Sequence, residues 1–317
     1  MIKKPNVGRK KANAPIAQRA FGSMEKIVES GRQGQLVVVI GTGVSMGLTS
    51  NAVPSWGGLI KSGLDYAHER GQVSDTQLNM WGQMLTSSDI DDLLGAAEFI
   101  SRKLGAPGDP VYARWLAEVF SSVQPSNSEL STALKSIASQ GIPICTLNYD
   151  PLLEIVTGLP AIQISETSKV ISWMRRENSS ILHLHGSWDV PSSCILGIRD
   201  YETTQGNEVR DLVQRALASF KHLLFIGCGD TLADPNFSAL VKWLRTTLKA
   251  LTPQHIALTR EDDVAQRHCD PAWLGFVEPL SFGKAHGDLA EFLLTHFPQA
   301  QSKRSVRSKK LISTVSN

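Results

Sequence analysis

Asn148 stands in an unusual place. The stretch CTLNYDPLLE, residues 145–154, sets Thr146, Asn148 and Asp150 directly after the apolar run IPIC and before an apolar segment that begins like a helix. Open α/β sheets bind ligands where strands end and helices begin. An amide at that point both donates and accepts, which suits holding a water or a ribose hydroxyl in one orientation. Asp150 followed by Pro151 reads first as a helix cap with proline at the first helical position, and Thr146 reads equally well as a β-branched strand residue.

A second chemical stretch is ILHLHGSWD, residues 181–189. His183 and His185 lie two apart and so face one side of a strand. A metal pair would need more than Asp189 as a further ligand, and the chain has no other metal-like spacing. His185, just before a glycine at a strand end, suits a general base because its pKa is the one nearest neutrality. His183 reads as a packed or hydrogen-bonded core histidine.

Two glycine turns complete the set. In LVVVIGTGVSMGLTSNAVPSWGGL (36–59), Gly41 and Gly43 follow an apolar run and Ser45 adds a hydroxyl. Such a loop either brings backbone N–H groups to a phosphate or makes a tight turn. The dinucleotide fingerprint would need its third glycine at position 46, where the chain has Met46, and no acid ends a clear second strand; a dehydrogenase is disfavoured. In HLLFIGCGDTLADPNFSALVKWL (222–244), Gly227 and Gly229 offer a second place for close backbone approach, suited to the other half of an extended ligand. Asp234 reads as another helix cap.

The elements that must carry these residues are visible as short apolar runs at 36–41, 142–148, 181–186, 222–227 and 255–258, separated by segments of helical periodicity. Strands apolar on both faces and divided by helices predict a Rossmann-like, doubly wound parallel sheet. Between the first run and the second lie several helix signals, among them Ser74–Gln77 as a capping box and the periodic sets Ile90, Leu93, Leu94, Ala97, Ile100 and Leu130, Leu134, Ile137. They predict a helical insertion over about residues 58–138, forming one wall of a cleft.

Composition sets outer bounds. The 317 residues are 42% hydrophobic, enough for a substantial core, and no apolar run or secretory h-region marks a membrane span or export signal. Cys145, Cys194, Cys228 and Cys269 are scattered singly, as reduced thiols of a cytoplasmic protein are. The net charge of +2 hides two basic tails: residues 1–12 and 301–317 each carry five Lys/Arg and no acid, leaving 22 bases against 30 acids between them. Residues 1–20 are thus read as a basic arm, 21–300 as the folded domain and 301–317 as a basic tail. The acidic body excludes a broad nucleic-acid face, so nucleic acid is reachable only through the tails or a partner.

In this order the four stretches resemble the sirtuin-like superfamily, the relatives of the silent information regulator proteins. GTGVS is similar to the family's glycine-alanine-glycine-x-serine loop, and PSW to the segment after it. TLNYD is similar to its threonine-x-asparagine-x-aspartate motif. LHGS resembles the motif holding the catalytic histidine, and IGCGDTLADPNF the late motif that contacts the far ribose. The likeness spans roughly residues 36–240. Sirtuin deacylases carry a zinc ribbon with two C-x-x-C pairs, and this chain has neither. Tyr149, the Asp-Pro-Asn of the late motif and the helical insertion resemble instead the bacterial sirtuin-like effectors of antiphage defence, which hydrolyse NAD+.

That resemblance implies a Rossmann-like NAD-binding domain that uses NAD+ as substrate and no metal. Asn148 and His185 would be the catalytic pair. Gly41, Gly43, Ser45, Trp56, Asp150, Gly227, Gly229 and Asp230 would contact the dinucleotide, Asp150 also tuning the local polarity. A free-running NADase would kill its host, so the resemblance further implies gating, through homo-oligomer assembly or through a partner protein encoded nearby that senses infection. The competing expectations are an NAD-dependent protein deacylase or ADP-ribosyltransferase, and a non-catalytic module that binds NAD or ADP-ribose.

Overall fold

The computed structural model describes residues 16–49, 55–87, 89–204, 211, 213, 215–217, 221–229, 255–271, 273 and 276–299. Both basic tails, Asp230 and the segment with Asp234 lie outside the described residues. Among the described residues no helix is long and apolar enough to cross a membrane.

A seven-stranded, all-parallel sheet carries the fold: β1 (Leu36–Ile40), β2 (Ile144–Thr146), β3 (Ala161–Gln163), β4 (Ile181–His183), β5 (His222–Ile226), β6 (His255–Arg260) and β7 (Val277–Gly283), in the order β3-β4-β2-β1-β5-β6-β7. It is the Rossmann-like α/β architecture expected. The chain leaves β1 towards one edge and returns from β4 to β5 on the other side of β1, so the switch point lies between β1 and β5.

Alternation along the strands builds two cores from one sheet. Leu36, Val38 and Ile40 of β1, Ile144 of β2, Leu224 and Ile226 of β5 and Ile256 and Leu258 of β6 face one layer. Val37, Val39, Cys145, Leu223, Phe225 and Ala257 face the other. Strands buried on both faces read as continuous apolar runs, which is why they were visible.

The two edge strands carry weaker signals. β3 is three residues long, and β7 contains Glu278, Pro279 and Ser281. Pro279 is tolerated because, among the described residues, β7 pairs only with β6.

Helices α1 (Ile16–Arg32), α2 (Thr42–Thr49), α3 (Trp56–Glu69), α4 (Asp75–Met84), α5 (Ile90–Leu104), α6 (Pro110–Phe120) and α7 (Ser128–Ser139) surround the first crossover. Ser74 and Gln77 form the reciprocal capping box at the start of α4. α3, α5 and α6 share a core of their own around Ile60, Leu64, Ala97, Ile100, Trp115 and Phe120. α7 differs: Leu130, Leu134 and Ile137 pack in the sheet's first core instead. Within the expected 58–138 insertion, then, α7 belongs to the layer covering the sheet.

Among the described residues the remaining α-helices are α8 (Leu152–Thr157), α9 (Thr167–Met174), α10 (Ile198–Thr204), α11 (Val264–Cys269) and α12 (Asp288–His296).

The switch point is closed by main chain on main chain. Gly41 N–H donates to the Ile226 carbonyl at 2.9 Å and Gly43 N–H to the Gly227 carbonyl at 2.9 Å. A Cβ on Gly41 would stand 2.5 Å from the Gly227 oxygen, and one on Gly227, whose φ is +67°, 2.6 Å from Val44 N. Gly227→Ala should therefore cost more than the about 1–3 kcal/mol of a left-handed non-glycine residue, read as a lowered midpoint of chemical denaturation.

Candidate functional site

A cavity of about 920 Å³ opens above the switch point, near the top of the roughly 300–1,000 Å³ range of ligand sites. Its floor is the turn after β1 and the start of α2 (Thr42, Gly43, Met46, Gly47) together with Gly227 and Gly229 after β5. Trp56 of α3 and Ile90 and Leu93 of α5 form an apolar wall. Leu147, Tyr149, His185 and Tyr201 close one end; Leu258, Thr259, Arg260, Asp263, Phe282 and His286 line the other.

Of the ten residues singled out from the sequence, Gly43, Trp56, His185, Gly227 and Gly229 line this cavity. Gly41, Ser45, Asn148 and Asp150 are not among its lining residues, and Asp230 is outside the described residues. The N–H groups of Gly41 and Gly43 are spent on the β5 turn, so the glycines are already explained by that close approach.

Asn148 is 2% exposed, yet its amide is held firmly. Ser45 Oγ donates to Asp150 Oδ2 at 2.7 Å and accepts from Asn148 Nδ2 at 2.8 Å. Because the serine hydrogen points at a carboxylate, Ser45 can only accept from the amide, which fixes which end of Asn148 is NH2. The other end, Oδ1, is buried with no hydrogen-bond partner among the described residues. The backbone is tied too: Asn148 N–H donates to Thr146 Oγ1 at 3.0 Å, and Thr146 Oγ1 donates to the Ile40 carbonyl at 3.1 Å. Thr146 is thus more than a β-branched filler.

Asp150 does two things at once. Its Oδ1 accepts from Leu152 N–H at 3.1 Å at the entry to α8, where Pro151 takes the cap position, one residue later than the sequence pattern predicts. Its Oδ2 anchors Ser45. Burial raises its pKa, against the lowering effect of the Ser45 and Leu152 hydrogen bonds.

His185 lies beyond the end of β4, 3% exposed, edge-on to Tyr201 with ring centroids 6.0 Å apart. His183 is turned to a different environment, with hydrogen-bond partners in the Asn148 turn, Gly186 and α8. The expected shared face ends with the strand.

The loop after His185 is bound to the helical wall. Tyr149 hydroxyl donates to the Ile195 carbonyl, and Glu98 of α5 accepts from Arg102 and Arg199, each at 3.0 Å. Thr259, Arg260, Asp263 and His286 at the far end of the cavity carry no motif signal; Glu154, Tyr149 and Tyr201 are polar groups near Asn148 and His185 that motif reasoning did not assign a role. Only their place within or near TLNYD and LHGS could have drawn attention to them.

Ser45→Ala would leave Asp150 Oδ2 and Asn148 Nδ2 buried without their partner, at a cost of about 1.5–3 kcal/mol for a bond to a charged group. Losing a donor to its charged form pushes the Asp150 pKa higher still. An acid with a raised folded pKa is favoured when protonated, so the penalty should be full at neutral pH and shrink as pH falls through that pKa. Denaturation midpoints of the variant and the parent across that range check it.

Residues 143–274 match the family model described as the SIR2-like domain. The span begins at β2 and takes in the Asn148 turn, the His183–His185 strand end and the Gly227 turn. Members of that family are NAD-dependent enzymes, and the domain implies NAD binding. The SIR2-like match over residues 143–274, set in an all-parallel Rossmann-like sheet, is consistent with a sirtuin-like protein.

Proposed function

We propose that the chain is an NAD+ glycohydrolase, releasing nicotinamide and ADP-ribose. The observation that carries the proposal is His185 on the wall of a dinucleotide-sized cavity, with Asn148, buried behind that lining and locked by Ser45 and Asp150, at the end of the neighbouring strand.

The chemistry asks little beyond placement. Nicotinamide in NAD+ is cationic, so when the glycosidic bond breaks its electron pair goes to the ring nitrogen and neutral nicotinamide leaves. The ribose carbon left behind is oxocarbenium-like. Water adds to it, and His185 takes the proton released. Asn148 Oδ1 accepts from that water or from a ribose hydroxyl, and the buried amide, fixed in advance, need not reorganise during the step. The floor at Gly43, Gly227 and Gly229 holds the pyrophosphate, with Trp56 against the ligand. NAD+ is the substrate, and the step needs no metal.

The resemblance to the defence branch supports a gated role, in which a homo-oligomer or an infection-sensing partner releases the activity and NAD+ loss is the outcome. The α3–α6 wall and the basic tails are the contact surfaces proposed for that gating.

Purified full-length protein, with and without the product of a neighbouring gene, should convert NAD+ to nicotinamide and free ADP-ribose by chromatography. His185→Ala should lower the rate about 10²–10⁴-fold, the range of general-base loss, and Asn148→Ala comparably. Transfer of labelled ADP-ribose to protein would favour the transferase. Binding of NAD+ without turnover in any mixture would favour the binding module.

A further inference from the structure

His183 and Glu154 have no part in the mechanism above, yet they are bonded to each other inside the fold. The His183 side chain is 1% exposed and that of Glu154 18%. His183 Nδ1 lies 3.0 Å from the Asn148 carbonyl oxygen and 3.2 Å from that of Gly186. Both are acceptors only, so Nδ1 carries a hydrogen. Nε2 lies 2.6 Å from Glu154 Oε1, and a carboxylate at that distance calls for a second hydrogen. Glu154 Oε2 is buried with no hydrogen-bond partner among the described residues, so the contact with His183 is what holds this carboxylate in place.

We propose that the His183–Glu154 pair positions the catalytic machinery, with the doubly protonated imidazole clamping the turn that carries Asn148 to the turn that carries His185. This deepens the NAD+ hydrolase reading and rests on it. Neither residue lines the cavity, and both ring nitrogens of His183 are taken up inside the fold, so the pair acts through the turns it joins. What the clamp sets is the offset between two strand ends whose registered pairing, β2 with β4, stops at Thr146 and His183, beside the backbone bonds from Leu184 N–H to the Thr146 carbonyl and from Trp188 N–H to the Tyr149 carbonyl.

The charged groups facing His183 are Glu154 on α8 and Asp150 in the turn after β2; its register neighbours on β2 and β3, Thr146 and Gln163, are neutral. Burial opposes the imidazolium, but the hydrogen bond and charge of Glu154, the Asn148 carbonyl and the Asp150 charge outweigh it and raise the pKa. The stabilisation is therefore complete below the ordinary histidine pKa and is lost as pH rises through the raised folded value. On losing a proton the ring keeps one hydrogen, and the carboxylate is the stronger acceptor. Nδ1 would then turn a bare lone pair to two carbonyl oxygens, and the turns would shift apart at Asn148 and Gly186, hinged on the Trp188–Tyr149 backbone bond.

The test uses full-length protein labelled with 15N at histidine, assigned by comparison with His183→Gln. Wild type should show both His183 nitrogens protonated at neutral pH, and its kcat for NAD+ should fall on the alkaline side with KM nearly constant. His183→Leu should lower kcat roughly tenfold to a hundredfold at every pH, the scale on which misplaced groups cost rate. In Glu154→Gln the amide donates to Nε2 and leaves the ring hydrogen on Nδ1, so the clamp survives uncharged and the alkaline fall disappears. A neutral His183 at neutral pH, or the same alkaline fall in wild type and Glu154→Gln, would overturn the proposal. If wild type shows no NAD+ turnover the hydrolase reading fails, while the histidine spectra still decide the protonation of the clamp.

Discussion

Main-chain contact between the turns after β1 and β5 is the constraint on which the site rests. Gly41, Gly43 and Gly227 meet with no room for a Cβ between them. That closeness lets α2 start immediately after β1, which in turn brings Ser45 over the neighbouring strand β2 to meet Asn148 and Asp150. Two residues separated by more than a hundred positions in the chain become hydrogen-bond partners because two backbones touch. The same closure shapes the cavity floor, since Gly43 and Gly227 are surfaces on both sides, packed against each other below and facing the cavity above.

Above that floor the structure accepts a considerable electrostatic cost. Asp150 is 3% exposed and His183 1%, and neither would be tolerated as an isolated charge. They are tolerated because acceptors and donors are matched almost atom for atom, from Ser45 and Leu152 to Asp150, and from His183 to Glu154 and two carbonyls. A network of this kind gains little net stability over well-packed apolar groups. Its return is fixed orientation, and two buried oxygens in it have no hydrogen-bond partner among the described residues, Asn148 Oδ1 and Glu154 Oε2.

Much of this was legible in one dimension, and the parts that were not share a cause. The five central strands announce themselves because both faces are buried; β3 and β7 do not, being short or interrupted by Glu278, Pro279 and Ser281 on an edge. Asn148 and His185 are conspicuous as polar groups at the ends of apolar runs. Glu154 is not, because on a six-residue helix it looks like any solvated acid, and only the packing of α8 against the end of β4 gives it a partner. The glycines invited a phosphate-binding explanation, whereas their first duty is to each other. In each case the missing information is a contact between segments distant in sequence, which local spacing does not encode.

The helical wall raises a different issue, because it is tied to the chemistry at one side. α3, α5 and α6 have their own core, but Cys194 and Leu196 from the loop after His185 are part of it, as is Tyr149 beside Asn148. Glu98 adds an ionic link to Arg199, two residues before Tyr201, whose ring meets His185. Exposed ion pairs are weak, but a glutamate whose side chain is 13% exposed and which holds two arginines is a firmer link. The wall therefore cannot shift as a unit without carrying the flanks of both Asn148 and His185 with it. A surface contact on α3–α6 far from the cavity would be transmitted to the Asn148 and His185 turns through packed side chains.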